Sequence, residues 1–496
     1  MFNNKINRKD MINCTLCNDA PCSSVCSKTD PAGLLRSIWF DNEACAAVKL
    51  PAEDPCRDCD APCEKACVKA GKVPVKELVS RLHSEVKPEV SEIEPDNNRL
   101  NTDLCGIHLE NPFLLSSSVV SSTYDMCARA FEAGWAGAVF KTVCSFDIHE
   151  ASPRFGSVPG SAGGFIGFKN IEQLSDRTVE ENMDTVRKLK EKYPEKAVIV
   201  SYMGQNESEW EELSRVCQEA GADAVELNFS CPNMADGGLG SDIGQVPRFV
   251  EELTAAAKRG CTIPVLAKLT PNVASMTEAA EAAKRGGADG IAAINTIKSI
   301  MGVSPDTFVS APDVNGMSAV GGYSGNAVKP IALRFMAEMG HDSQLSGMHL
   351  SGMGGIETWK DALDFILLGA GSVQVTTSVM KYGYRIIDDL LSGLDRFLAM
   401  KGFANVADVC GLGLSHVSDT TDVLERDSRV FPMFDRSRCI GCGRCVISCR
   451  DGGHQALSMN EERHIIMDGK KCVGCHLCAL VCPEGAISTS GKRVKM

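Results

Sequence analysis

The stretch Gln218-Glu219-Ala220-Gly221-Ala222-Asp223-Ala224-Val225-Glu226-Leu227-Asn228-Phe229-Ser230-Cys231-Pro232-Asn233 holds the end of a helix, a turn, a strand and a thiol. Gly221 ends the helical pattern, because glycine tolerates the left-handed backbone of a helix C-cap. From Ala222 to Leu227 the residues alternate and read as a short strand. That strand stops at Cys231, which is followed by Pro232, a residue that cannot donate to a further ladder. Met234 to Gln245 then carries Gly237, Gly238, Gly240 and Gly244, the composition expected of a lid. Cys231 is therefore the candidate acid/base, although residue type alone would make it a buried core thiol.

The same pattern recurs along the chain. Phe131-Glu-Ala-Gly134 precedes Ala136 to Phe140, Lys284-Arg-Gly-Gly287 precedes Gly290 to Ile294, and Leu368-Gly369 precedes Ser372 to Val375. Further apolar runs at Phe113 to Leu115, Ala197 to Tyr202, Pro264 to Leu269 and His349 to Ser351 bring the strands to eight, mostly separated by helical stretches. This is the arithmetic of an α/β fold, a (β/α)8 TIM barrel; an open doubly wound sheet is the alternative. No Gly-x-Gly-x-x-Gly follows a first strand, so no dinucleotide domain is expected.

Barrel chemistry sits at the C-terminal strand ends. Those ends carry Ser116, Ser117, Lys141, Thr142, Asn206, Asn228, Ser230, Cys231, Lys268, Thr270, Asn295 and Thr296, then Gly354, Gly355, Thr376 and Thr377 after the last two strands. With no acid among these positions, the rim suits a neutral or anionic planar ligand with many hydrogen-bonding edges. The glycines and threonines after the last two strands match the usual barrel phosphate site, and each lysine needs an anionic partner to be retained there.

Of the 24 cysteines, nine precede residue 68 and eight follow residue 438. Cys14, Cys17, Cys22 and Cys26, with Cys56, Cys59, Cys63 and Cys67, supply ligands for two 4Fe-4S clusters in a mainly helical N-terminal domain; zinc is the alternative. Cys439, Cys442, Cys445 and Cys449, repeated as Cys472, Cys475, Cys478 and Cys482, have the Cys-x2-Cys-x2-Cys-x3-Cys spacing of a two-cluster ferredoxin-like domain. In that pattern the fourth cysteine of each run ligates the other cluster. Expected domains are 1–100, including a polar linker from Ser84 to Asn101, then the barrel at 101–400, a connector at 401–430 and the C-terminal domain at 431–496.

A net charge of −13, with no basic stripe interleaved with aromatics, argues against nucleic acid. No apolar run reaches the length of a membrane span, and Met1 to Asp10 lacks the apolar core of a signal peptide. A cytoplasmic protein is expected, and in a reducing compartment its cysteines serve metal or redox chemistry.

The segments Asn111-Pro-Phe113, Phe131-Glu-Ala-Gly-Trp135, Lys141-Thr142, Ser152-Pro-Arg154, Leu227 to Asn233, Ala267-Lys-Leu-Thr-Pro-Asn272, Asn295-Thr296 and Gly321-Gly-Tyr-Ser-Gly325 resemble the FMN barrel of the dihydropyrimidine dehydrogenase family. Dihydroorotate dehydrogenases share part of this set, and the likeness is greatest to the catalytic subunit of the bacterial NAD-dependent form. The N-terminal cysteine pattern resembles the iron-sulfur domain of the same family, but no glutamine stands near Ser80 and Arg81 to act as the ligand used in its mammalian-type members. The lid also differs from theirs, and Asn233 stands where they have a histidine.

The resemblance implies FMN held by Ser116, Ser117, Lys141, Lys268, Gly325, Gly355, Thr376 and Thr377, with Thr142 and Gly354 beside them on the rim. It implies a uracil-like ring held by Asn206, Asn228, Asn295 and Thr296, next to Ser230, with Cys231 as acid. Amide side chains match the alternating donors and acceptors of a pyrimidine, and a thiol of ordinary pKa, about 8.5, is still protonated at neutral pH. Clusters carry single electrons, whereas saturating a carbon-carbon double bond takes a hydride and a proton; a flavin joins the two, and lysine charge would favour its reduced anion. Electrons would come from an NAD(P)H-oxidising flavoprotein subunit or a ferredoxin, and an oligomer is expected. The competing readings are a dihydroorotate dehydrogenase-like enzyme acting on orotate and a non-catalytic electron-transfer subunit.

Overall fold

Strands apolar on both faces must be covered on both, and here the helices that alternate with them supply the outer cover. The computed structural model describes residues 5–69, 73–90, 93–160, 164–232 and 240–495. Its barrel strands are β1 (Phe113–Leu115), β2 (Gly137–Val143), β3 (Ala197–Tyr202), β4 (Ala224–Asn228), β5 (Val265–Lys268), β6 (Gly290–Ala293), β7 (His349–Met353) and β8 (Ser372–Val375). Each pairs in parallel with the next, and β8 with β1, so the sheet closes and the open-sheet alternative falls. Gly134, Gly221, Gly287 and Gly369 all have φ between +88° and +110°, the left-handed turn that brings each helix back to its strand. β4 starts two residues later than the alternation predicts, because Asp223 is held before it as an acceptor for the Val198 N–H at 2.8 Å.

Two antiparallel elements lie outside the simple alternation. A hairpin, Thr102–Leu104 with Ile107–Leu109, places Leu104 and Leu109 in a core cluster with Leu114, Val139, Ile199 and Leu266. The second is a four-stranded sheet, in the order Ile297–Ser299, Gly321–Ser324, Phe165–Asn170, Phe155–Pro159, made from the segments that leave β2 and β6. Its strands are short, three of the four contain glycine, and the central pairing of Gly321–Ser324 with Phe165–Asn170 joins segments more than 120 residues apart, so local periodicity does not reveal the sheet.

Residues up to Val417 form one compact unit and Ser418 onward a second. Within the first unit, the stretch that reads as a linker is packed. Leu82–Val86 forms a π-helical turn with Leu82 and Val86 buried, and Arg99 of the turn Asn97–Leu100 pairs with Asp395 at 2.7 Å. The first part of the expected connector is also docked, with the Gly411 and Gly413 N–H groups donating to the Ile366 and Leu367 carbonyls. In the second unit, Ser428–Phe434 pairs antiparallel with Ile487–Lys495, and the helices Arg444–Gly452 and Leu477–Leu480 carry Cys445 and Cys449 of the first cysteine run and Cys478 of the second. Among the described residues no single helix is long and apolar enough to cross a membrane.

The N-terminal helices are tied to the barrel helix Ile387–Lys401 through Asp389. This buried carboxylate accepts from Arg36 Nε at 2.9 Å, Ser37 Oγ at 2.7 Å and Asn42 Nδ2 at 3.4 Å. Asp389→Ala strands the Arg36 Nε and Ser37 Oγ donors, while Asn42 Nδ2 keeps Ser392 Oγ at 2.9 Å, a cost of about 3 kcal/mol. Limited proteolysis should then cut within the first 90 residues well before the barrel, while Asp389→Asn behaves closer to wild type; equal cutting rates in all three proteins would refute the anchor.

At the start of β7, burial holds the His349 imidazole down to about 4, against the opposing pull of Asp103. The folded value lies below the unfolded one of about 6.5, so the native state resists protonation. Its contribution, about 3 kcal/mol, is complete above pH 6.5 and is lost as pH falls towards 4. Thermal unfolding across that window should show a shallower acid limb for His349→Gln; an unchanged limb would assign the loss to other groups.

Candidate active site

The exit of β4 is fixed from the apolar side. The buried Phe229 ring lies 5.0 Å from Trp210, which lies 5.3 Å from Tyr202, so the chain leaving the strand is anchored one residue before Ser230. Cys231, only 6% exposed, lines the main cavity of the barrel. The chain returns at once to this point: Ser241 N–H donates to the Cys231 carbonyl at 3.0 Å. A Cβ on Gly240 would stand 2.3 Å from that carbonyl oxygen, and one on Gly244 would stand 2.0 Å from the Phe229 oxygen. Glycine is required at both by close approach. Asn233 and the first half of the expected lid, residues 234–239, lie outside the described residues.

The cavity encloses about 1080 Å³ including its mouth. Ser116, Ser117, Lys141, Thr142, Asn228, Cys231, Lys268, Asn295, Thr296, Gly325, Gly354, Gly355, Thr376 and Thr377 all line it. Ser230 braces the wall instead of lining it: its Oγ donates to Asn228 Oδ1 at 3.0 Å and accepts from Asn295 Nδ2 at 2.7 Å. Asn228 Nδ2 donates to Thr142 Oγ1 at 2.9 Å, so side chains of β2, β4 and the β6 exit form one polar network. Asn206 does not join it. It caps the helix Glu207–Glu219, accepting from Glu209 N–H at 3.1 Å and donating to Glu209 Oε1 at 3.2 Å.

Both rim lysines have carboxylate partners that the strand-end inventory does not contain. Lys141 Nζ lies 3.2 Å from Glu172 Oε1, which Arg154 also contacts at 3.1 Å. Lys268 Nζ lies 3.2 Å from Glu226 Oε1 and donates to Ser116 Oγ at 3.3 Å. Glu226 had a sequence signal, since it stands two residues before Asn228 and strand alternation puts both on one face. Glu172 had none, because it follows the unforeseen antiparallel strand Phe165–Asn170.

Gly325, Gly354 and Gly355 form a backbone cradle in the cavity wall. Gly354 and Gly355 have φ of +122° and +86°, and a Cβ on Gly355 would lie 2.8 Å from Lys329 Cβ and 3.0 Å from the Gly325 oxygen. Gln374, also on the lining, has its Oε1 buried with no hydrogen-bond partner, while its Nε2 donates to Glu226 Oε2 at 2.9 Å. A close-approach cradle, two ammonium groups and an unused buried acceptor fit a mononucleotide carrying a planar ring with N–H and C=O edges.

The terminal cysteines gather in four further cavities, and each draws on both of its runs. In the C-terminal unit Cys439, Cys442 and Cys445 share one of about 360 Å³ with Cys482, and Cys472, Cys475 and Cys478 share one of about 370 Å³ with Cys449. The Cys482 and Cys449 sulfurs each accept a backbone N–H, from Ala486 at 3.2 Å and Ala456 at 3.3 Å. In the N-terminal segment Cys14, Cys17 and Cys22 line a cavity with Cys67, and Cys56, Cys59 and Cys63 line one with Cys26. Among the described residues no three metal-binding side chains converge on a single-ion site. Cys45 and Cys410 stand apart, their thiols donating to the Ser392 and Ala370 carbonyls.

A closed (β/α)8 barrel with this cavity, in a chain that also carries a twin-run cysteine unit, defines a flavin-type, cluster-linked oxidoreductase. Residues 99–398 match the dihydroorotate dehydrogenase family, and residues 433–489 match the 4Fe-4S dicluster domain. The chain belongs to the dihydroorotate dehydrogenase family and is an oxidoreductase. It is 52% identical over 363 residues, 73% of this chain and 88% of the relative, to the NAD-dependent dihydropyrimidine dehydrogenase subunit PreA of Escherichia coli K12. It is 37% identical over 349 residues, 68% of this chain and 81% of the relative, to the chloroplastic dihydropyrimidine dehydrogenase (NADP(+)) of Arabidopsis thaliana. The catalytic subunit of dihydroorotate dehydrogenase B (NAD(+)) of Pyrococcus abyssi is 37% identical over 316 residues, 64% of this chain and 99% of the relative.

Proposed function

We propose that this enzyme reduces the 5,6 double bond of uracil or thymine to the 5,6-dihydropyrimidine, or runs the reverse reaction. The observation that carries the reading is the meeting of Cys231, Asn228, Asn295 and Thr296 with the glycine cradle in one cavity. Asn228 and Asn295 offer amide donors and acceptors to the edges of a pyrimidine, Thr296 adds a hydroxyl, and Ser230 holds the two amides in register. Cys231 supplies the proton to C5 and takes it back in the reverse direction. Its buried position keeps bulk water from competing for that proton. Asn206, held at a helix N-terminus, is left out of this set.

Ser116, Ser117, Lys141, Thr142, Lys268, Gly325, Gly354, Gly355, Thr376 and Thr377 would hold FMN. When bound there, FMN would convert electrons arriving singly from iron-sulfur clusters into a hydride for C6. The crossed cysteine sets support four 4Fe-4S clusters, two in each terminal region, with the N-terminal pair ligated by Cys14, Cys17, Cys22 and Cys67 and by Cys26, Cys56, Cys59 and Cys63. The relative from Escherichia coli is named as a subunit of an NAD-dependent enzyme, which supports a separate NAD(P)H-oxidising flavoprotein, or a ferredoxin, as electron donor.

Anaerobic protein reconstituted with FMN and reduced chemically tests this without the donor. Uracil or thymine should reoxidise the flavin and yield the dihydro base. Reoxidation by orotate alone would replace the reading with a dihydroorotate dehydrogenase activity.

A further inference from the structure

Beneath the cavity floor lies a carboxylate that the proposed reaction does not use. Glu226 is fully buried on β4 and does not line the cavity; it touches two side chains that do. Its Oε1 lies 3.2 Å from Lys268 Nζ, an ion pair with no well-aligned hydrogen bond, and its Oε2 accepts from Gln374 Nε2 at 2.9 Å. Gln374 Nε2 also donates to Ser351 Oγ at 3.3 Å, which accounts for both amide hydrogens and leaves Oε1 as the partnerless end. Turning the amide over would set its carbonyl against a carboxylate, so Glu226 decides which end of Gln374 is free. An ionised carboxylate costs much to bury, and packing alone would favour an apolar side chain in a barrel core.

We propose that Glu226 is a positioning residue that sets the balance between oxidised and reduced flavin. It damps the positive charge of Lys268, which otherwise favours the reduced anion, and it keeps the Gln374 carbonyl as the acceptor on that side of the cavity. This rests on the flavin reading above. It assigns the carboxylate a role that the ring-binding amides and the thiol do not share.

The test uses full-length holoprotein and two readouts besides turnover: the two-electron equilibrium of the flavin against a reference dye, and the dissociation constant of the sulfite adduct. Glu226→Gln keeps the shape and removes the charge. It should shift the equilibrium towards reduced flavin at least tenfold, about 30 mV for two electrons, and tighten sulfite by a similar factor. Glu226→Asp, with its charge one methylene further away, should shift both in the same direction by less, and it carries the test if the glutamine variant does not retain flavin. Adding Lys268→Met to Glu226→Gln should abolish the shift. An equilibrium unchanged in both single variants, or a shift that survives Lys268→Met, overturns the proposal. Wild-type protein that binds no flavin would instead overturn the reading on which it rests.

Discussion

Cys231→Ala should lower dihydropyrimidine formation by about 10²–10⁴-fold, the usual worth of a positioned general acid, while flavin content and cluster reduction stay at wild-type levels. The separation is expected because Cys231 reaches the cavity from a strand exit whose backbone is held independently, by Phe229 against Trp210 and by the Ser241 N–H on the Cys231 carbonyl. Losing the sulfur removes a proton donor and leaves the Asn228, Ser230 and Asn295 network in place. Single-turnover reoxidation of pre-reduced enzyme by uracil is the decisive measurement, since it bypasses the electron donor. Undiminished single-turnover rates would transfer the proton-donating role to another group.

Gly355→Ala should weaken FMN binding by one to two orders of magnitude, read by titrating FMN into flavin-stripped protein. Two effects add. The position has φ of +86°, where an L side chain carries about 1–3 kcal/mol of strain, and its Cβ would meet Lys329 Cβ at 2.8 Å. Lys329 is poorly placed to yield, because its ammonium is held by Asp361 at 2.5 Å and Asp364 at 2.9 Å. The cradle must therefore shift, and with it the backbone groups that face the phosphate. Cluster content should not change, and an unaltered FMN dissociation constant would place the phosphate elsewhere.

Much of this molecule was legible in its sequence because the deciding signals are local. The helix-glycine-strand pattern, the cysteine spacings and the Asn228-to-Asn233 motif each fit within a few residues, and the barrel and the grouping of the rim around Cys231 followed from them. What was not legible depends on distant partners. Glu226 and Lys268 are 42 positions apart, and their pairing exists only because β4 and β5 are neighbours in a closed sheet. The four-stranded antiparallel sheet is assembled from two excursions that no single window contains, and Glu172 arrives at the cavity with it. Asn206 carried a local signal of another kind: Asn206 with Glu209 three residues on is a helix-start signature, which its place just after β3 makes equally readable as a rim position. The packed turn at Leu82–Val86 was hidden by its polar neighbours, since only two apolar side chains anchor it.

The crossed cysteine cavities of the C-terminal unit make that unit indivisible. Cys482 belongs with the first run and Cys449 with the second, so neither half holds a complete ligand set for one cluster. Truncation between the runs would disable both centres. Iron loading should accordingly be cooperative: once one centre is assembled, the run that supplies its fourth sulfur is already drawn towards the geometry its own centre needs, and populations carrying a single cluster in this unit should be sparse.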